Sequence, residues 1–122
     1  MRTTHRALGD AGEARAARHL EAGGWRILAR NVRAGGVELD IVARRRGVLA
    51  IVEVKTRRSH LAGAPEEAVD AAKRARLVRG AAAWLRENPQ RGRSVRFDVI
   101  ACELGEAGWR LRHLEGAFDA GD

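Results

Sequence analysis

Residues Val48 to Val54 form an almost continuous apolar run, and that run constrains the fold more than any other feature of the chain. A strand that is apolar on both faces must be covered on both sides. The flanking segments supply the means. Residues 5–22 read as a helix, with Leu8, Ala16, Ala17 and Leu20 at helical spacing and Gly23-Gly24 closing it. Trp25 to Val32 reads as extended, Gly35-Gly36 as a turn, and Val37 to Ala43 as a strand rich in branched residues. Arg44 to Gly47 is expected to turn the chain into the apolar run. Thr56 to Ala64 is polar and reads as a loop, after which Pro65, followed by Glu66 and Glu67, is placed to open a helix running to about Glu87. Val95–Cys102 and Trp109–Leu114 are expected as closing strands. The expectation is one α/β domain over residues 1–122, with a sheet flanked by helices.

Charge narrows the partner. The 122 residues carry a formal net charge of +7, which points to a polyanion, with nucleic acid ahead of an acidic membrane. A hydrophobic fraction of 45% excludes a disordered basic tail. Cys102 is the single cysteine, so no internal disulfide and no multi-cysteine zinc site can form within the chain. Met1–Ala7 lacks the apolar stretch of a signal peptide, and no run approaches the roughly 18 apolar residues of a membrane helix. A cytoplasmic protein with no membrane partner is therefore expected. Among 23 basic residues only Lys55 and Lys73 are lysines, so arginine reports charge here, whereas the two lysines ask why arginine would not serve.

Strand alternation suggests where chemistry could sit. It puts Glu38 and Asp40 on one face of the second strand, and Val37, Leu39 and Ile41 on the other. On the next strand Glu53 and Lys55 share a face, opposite Val52 and Val54. A short hairpin across Arg44–Gly47 would bring Asp40 and Glu53 together. Two adjacent carboxylates repel, and Mg²⁺ relieves that repulsion while recruiting phosphate oxygens. Lys55 on the same side could stabilise charge on an attacking water or on the phosphate. On spacing alone, a cross-strand ion pair worth about 0.2–1 kcal/mol is the simpler reading of Asp40, Glu53 and Lys55.

Other residues bear on that choice. Glu13 shares the inward stripe of the first helix with Ala16, Ala17 and Leu20. It is either a group facing the site or an edge residue paired with a nearby arginine. Lys73 starts a stripe continued by Leu77, Ala81 and Leu85. A lysine snorkelling over the core edge is the plainer reading, and a phosphate contact above the site is the functional one. Arg57 and Arg58 could clamp phosphates from the loop. Glu38 reads as solvent-facing, and Asp98 as part of a structural ion pair. His5, His19, His60 and His113 show no ligand spacing, and Gly9-Asp10-Ala11-Gly12 is no phosphate loop because no strand precedes it.

Together these residues resemble a known family. Gly12-Glu13, Ala17, Leu20, Gly24, Ile27 to Asn31, Glu38 to Ala43 and Val52 to Arg57 look like the YraN family (the UPF0102 group). Ala68-Val69, Lys73, Ala82, Trp84-Leu85, Arg96 to Ile100 and Ala117-Phe118 extend the likeness. The resemblance implies a restriction-endonuclease-like fold with a central mixed sheet, similar to archaeal Holliday-junction resolvases, and a PD-(D/E)xK nuclease site. Leu39 stands where the class name has proline, and Val37 where the family often has glycine. Carried onto this chain, the resemblance makes Asp40 and Glu53 metal ligands, with the Val54 backbone carbonyl a third and Glu13 approaching directly or through water. Lys55 becomes the catalytic lysine. The implied cofactor is Mg²⁺, with Mn²⁺ able to substitute. The implied partner is DNA, branched DNA included; junction cutting in the resembled resolvases uses two subunits, which makes a homodimer one open arrangement beside a monomer. The alternative is a non-catalytic nucleic-acid-binding protein that keeps the fold.

Overall fold

The computed structural model describes residues 4–59 and 69–120, apart from the side chain of His5. Residues 60–64 of the expected loop, His60, and the helix start at Pro65 with Glu66 and Glu67 lie outside the described residues. The chain runs α1 (His5–Ala22), β1 (Arg26–Ala34), β2 (Val37–Arg45), β3 (Val48–Arg58), α2 (Ala71–Glu87), β4 (Ser94–Gly105) and β5 (Gly108–Phe118). The five strands lie in sequence order in one sheet. All neighbours are antiparallel except β3 and β4, which α2 connects as a parallel pair, so the sheet is mixed. A single α/β domain with a restriction-endonuclease-like arrangement results.

The apolar run Val48–Val54 behaves as its composition demands. Leu49 and Ile51 join a core with Leu77, Ala81 and Trp84 of α2, whereas Ala50 and Val52 join a second core with Ala16, Ala17 and Leu20 of α1. Successive side chains of a strand point to opposite faces, so the two helices cover opposite sides of the sheet. Leu49, Ala50, Ile51 and Val52 are at most 2% exposed.

Strands β1, β4 and β5 run beyond their expected ends, to Ala34, Gly105 and Phe118, and three further boundaries differ for a local reason. Arg44 and Arg45 continue β2, leaving Arg46-Gly47 as the turn. Thr56, Arg57 and Arg58 are strand residues, not loop. Their polarity is tolerated because parallel pairing continues from Thr56↔Cys102 to Arg58↔Leu104, and Arg57 donates to Glu103 at 3.3 Å. Helix α2 begins at Ala71, since the Asp70 carboxylate accepts from the Lys73 N–H at 2.9 Å and so caps it; Val69 before it is not helical.

Helix α1 comes unusually close to β3 at one point. A Cβ on Gly12 would overlap the Thr56 side chain, 2.7 Å from its Cγ2, and the Gly12 carbonyl accepts from the buried Cys102 thiol at 3.4 Å. Because threonine is branched and held in a strand, it has little room to give way. Gly12→Ala is expected to cost about 1–3 kcal/mol in chemical denaturation. Combining it with Thr56→Ala should recover most of that loss. Wild-type stability in Gly12→Ala alone would contradict this account of the contact.

Candidate functional site

The β2–β3 ladder runs from Arg45↔Val48 to Ile41↔Val52 and ends there. Beyond it, Asp40 replaces backbone pairing with its side chain: Oδ2 accepts the Val54 N–H at 2.8 Å. The simple alternation expected for β2 also breaks at this residue. Val37 and Leu39 belong to the α2-side core, but Ile41 belongs to the α1-side core. The opposite strand matches the irregularity. Asn31, set between the pairs Arg30↔Ile41 and Val32↔Leu39, has φ 51°, a left-handed conformation that asparagine tolerates better than most residues. Both strands therefore depart from regular geometry at the same level, and the register survives.

Glu13 reaches this point from α1. Its Oε1 accepts from Asn31 Nδ2 at 2.7 Å and from Arg30 at 3.5 Å, and its side chain is 13% exposed. The arginine pairing considered for it does occur, and its charge also acts on Asp40. Asn31 is the site residue that sequence reasoning passed over. Asparagine within a strand is itself a signal, because it is depleted there unless its backbone or amide has a task.

Glu53 and Lys55 share a face of β3 as alternation requires, with Lys55 Nζ 3.5 Å from Glu53 Oε1. Lys73 of α2 reaches the same oxygen at 2.6 Å. Both lysines thus converge on one carboxylate, itself 6% exposed. Lys73 is more than a snorkelling residue at the core edge, since its ammonium makes the shortest ion pair in the described residues. Arg57 is drawn towards Glu103, and Arg58 pairs along the sheet with Leu104, so neither arginine belongs to a loop above the site. Glu38 is exposed as expected.

The electrostatics show a crowded group of charges. Burial first, and then the charge of Glu53, push the Asp40 carboxyl up to about 7, against the Val54 N–H and Lys73; Glu13 adds to the rise. Burial lowers Lys55 below the ordinary lysine value, Lys73 reinforces this, and Glu53 opposes it. Burial also works against Lys73, but the hydrogen bond and charge of Glu53, then Lys55 and Asp40, hold it above the ordinary value. Of the two ammonium groups, Lys55 therefore gives up its proton first.

Among the described residues, no three Asp, Glu, His or Cys side chains form a ready-made metal cluster. The available donor set is smaller: the Asp40 and Glu53 carboxylates. Oxygen donors of this kind suit a hard divalent cation. A raised, partly buried Asp40 beside the buried Glu53 carboxylate is a place where added positive charge would be favourable, so the residues fit such an ion.

A second buried carboxylate stands apart from this site. Asp98, 1% exposed, accepts from Arg96 Nε and Nη2 at 2.9 Å each, from the Gly116 N–H at 3.0 Å and from His113 Nε2 at 2.7 Å. The structural ion pair expected for it is present, enlarged by a histidine that spacing did not reveal. Among the described residues no helix is long and apolar enough to cross a membrane.

The comparisons agree with this picture at the level of family. Residues 12–102 match the model of "Uncharacterised protein family UPF0102". The chain is 47% identical over 116 residues to a UPF0102 protein of Symbiobacterium thermophilum, covering 94% of this chain and 98% of that protein. It is 49% identical over 113 residues to one from Frankia alni, covering 92% and 94%, and 42% identical over 116 residues to one from Myxococcus xanthus, covering 95% and 92%.

Proposed function

The chain belongs to the UPF0102 family, and from that premise we propose that it is a metal-dependent DNA endonuclease of the PD-(D/E)xK class. The observation that carries this reading is the gathering of Asp40, Glu53, Lys55 and Lys73 at the point where β2 and β3 stop pairing. An ordinary cross-strand ion pair needs one acid and one base. It needs neither a second, partly buried carboxylate, with its pKa raised, nor two lysines on one oxygen.

In this reading Asp40 and Glu53 hold Mg²⁺ or Mn²⁺, with the Val54 carbonyl as a third donor and Glu13 close by, directly or through water. The ion would polarise the scissile phosphate and make bound water more acidic. Asp40 contributes a carboxylate whose position is fixed by the Val54 N–H. Glu13, oriented by Asn31, flanks it. Lys55 presents a compact ammonium to charge that develops on the phosphate. The surplus of arginine provides sequence-independent contacts to the backbone and a strong dependence on salt. A branched substrate would require two cleavage sites, and hence two copies of the chain.

The decisive assay is incubation with four-way junctions, flaps, nicked duplex, linear duplex and RNA, with and without Mn²⁺. Metal-dependent cleavage of at least one DNA is expected. No cleavage of any substrate, together with no Mn²⁺ binding by calorimetry, would favour the non-catalytic binding protein.

Stability gives a separate check. A carboxyl raised from 3.8 to about 7 binds more protons in the folded state, so its contribution is fully present at low pH and is lost as pH rises through about 7. Above that pH, without divalent ions, Asp40 is a partly buried charge beside Glu53. Asp40→Asn keeps an acceptor for Val54 and removes the repulsion. It is expected to raise stability by about 1 kcal/mol at pH 8 in chelator while abolishing the Mn²⁺-induced gain in melting temperature. A variant less stable than wild type at pH 8 would point to a structural ion pair instead.

A further inference from the structure

A cleft of about 250 Å³ opens beside the site, between the β1–β2 turn and the first half of α2. Arg33, Lys73 and Arg76 line it, with Glu38 as the one acid, and the buried side chains of Val37 and Leu77 contribute to its wall. Lys73 belongs to both places: it lines the cleft, and its ammonium lies 2.6 Å from Glu53. Arg33 is already oriented there, since Nη2 donates to the Gly36 carbonyl at 3.1 Å. Arg76 is exposed and makes no ion pair or hydrogen bond with the described residues.

We propose that this cleft is a seat for a phosphodiester of the nucleic-acid strand, adjacent to the one held at Asp40 and Glu53. The proposal rests on the nuclease reading and adds the route of the strand. With the Lys73 ammonium engaged by Glu53, Arg33 and Arg76 against Glu38 still leave the lining a positive balance. Arg33 and Arg76 approach from two separate elements, which suits a tetrahedral anion between them better than a surface ion pair within one helix. Glu38, cross-strand neighbour of Arg33, sets a negative wall that an entering carboxylate-rich ligand would not relieve. A single phosphate, with one charge spread over two oxygens, can face the arginines and turn from Glu38.

The test is binding to fluorescent DNA, in the geometry that the wild-type chain binds best, in chelator so that no cleavage occurs. Single phosphates are replaced one at a time by neutral methylphosphonates. In the wild type, one replacement close to the cleavage position should weaken binding about tenfold. In Arg33→Gln and in Arg76→Gln that penalty should disappear, and the slope of log affinity against log salt should fall by about 1 in each. Arg91→Gln, in the α2–β4 connection at the opposite end of the sheet, should retain the penalty. Both cleft arginines are exposed, and unchanged melting temperatures would establish that the variants are folded. If the wild type binds and cuts DNA but both cleft variants keep the full methylphosphonate penalty, the cleft is not a phosphate seat and the nuclease reading stands. If the wild type binds no nucleic acid of the panel, the nuclease reading falls and the cleft proposal with it.

Discussion

Lys55→Arg is expected to lower cleavage by at least about a hundredfold while DNA affinity stays within about twofold of wild type. The charge is kept, so long-range attraction for the backbone is unchanged. What changes is shape. Lys55 sits 3.5 Å from Glu53 Oε1, with Lys73 on the same oxygen and Asp40 close enough to influence Lys73. A planar guanidinium is wider than an ammonium and would press on that group. Arginine also removes the lowered pKa that burial and Lys73 impose on Lys55, since it stays protonated across the working range. Single-turnover cleavage at saturating enzyme separates the chemical step from binding. Wild-type cleavage by Lys55→Arg would remove Lys55 from the mechanism, and parallel loss of binding would make it a contact rather than a catalytic group.

The largest effect on stability is expected at Asp98. Asp98→Ala should destabilise the fold by about 3–5 kcal/mol, a large share of a typical 5–15 kcal/mol, and lower the melting temperature by more than about 10 °C. The reason is what remains behind. Arg96 loses two hydrogen bonds, and the Gly116 N–H and His113 each lose one. The ring roles follow from the carboxylate. His113 Nε2 must donate to Asp98, so in the neutral ring Nδ1 accepts from His19 Nε2 at 3.0 Å, completing a relay from a buried acid to the surface.

That relay carries its own pH dependence. Burial and His113 lower the His19 pKa below 6.5, against Glu115, so the folded state resists protonation and stability falls as pH drops through and below 6.5. Burial alone would raise Asp98, but His113, Arg96 and the Gly116 N–H outweigh it and leave the carboxyl below 3.8. Its contribution is present above 3.8 and is lost as pH falls further. Acid unfolding should therefore show two limbs, and His19→Gln should flatten the upper one while sparing the lower. A single limb near pH 4 in both proteins would contradict the assignment.

How legible was this molecule before folding? Helix α1 was readable to the residue, from His5 to Ala22, because its apolar stripe and the Gly23-Gly24 stop are local signals. Strands β2 and β3 were readable for the same reason, and the short turn between them brought Asp40 and Glu53 together without long-range information. Where a local cue had a distant competitor, reading failed. The polarity of Thr56–Arg58 suggested a loop, but pairing with β4, more than forty residues away, kept it extended.

Local periodicity and turn chemistry therefore determined the elements, their order and the acid–acid–lysine pattern, because those signals act over a few residues. Tertiary structure alone decided which side chains share a partner. It set Lys73 on Glu53, Asn31 on Glu13, and His19 beside His113, ninety-four positions apart. It also broke the alternation of β2 at Asp40, since a side chain that takes a backbone N–H from the neighbouring strand cannot also follow the regular pleat. Such contacts depend on the packing of both helices against the sheet, and no spacing along the chain encodes them.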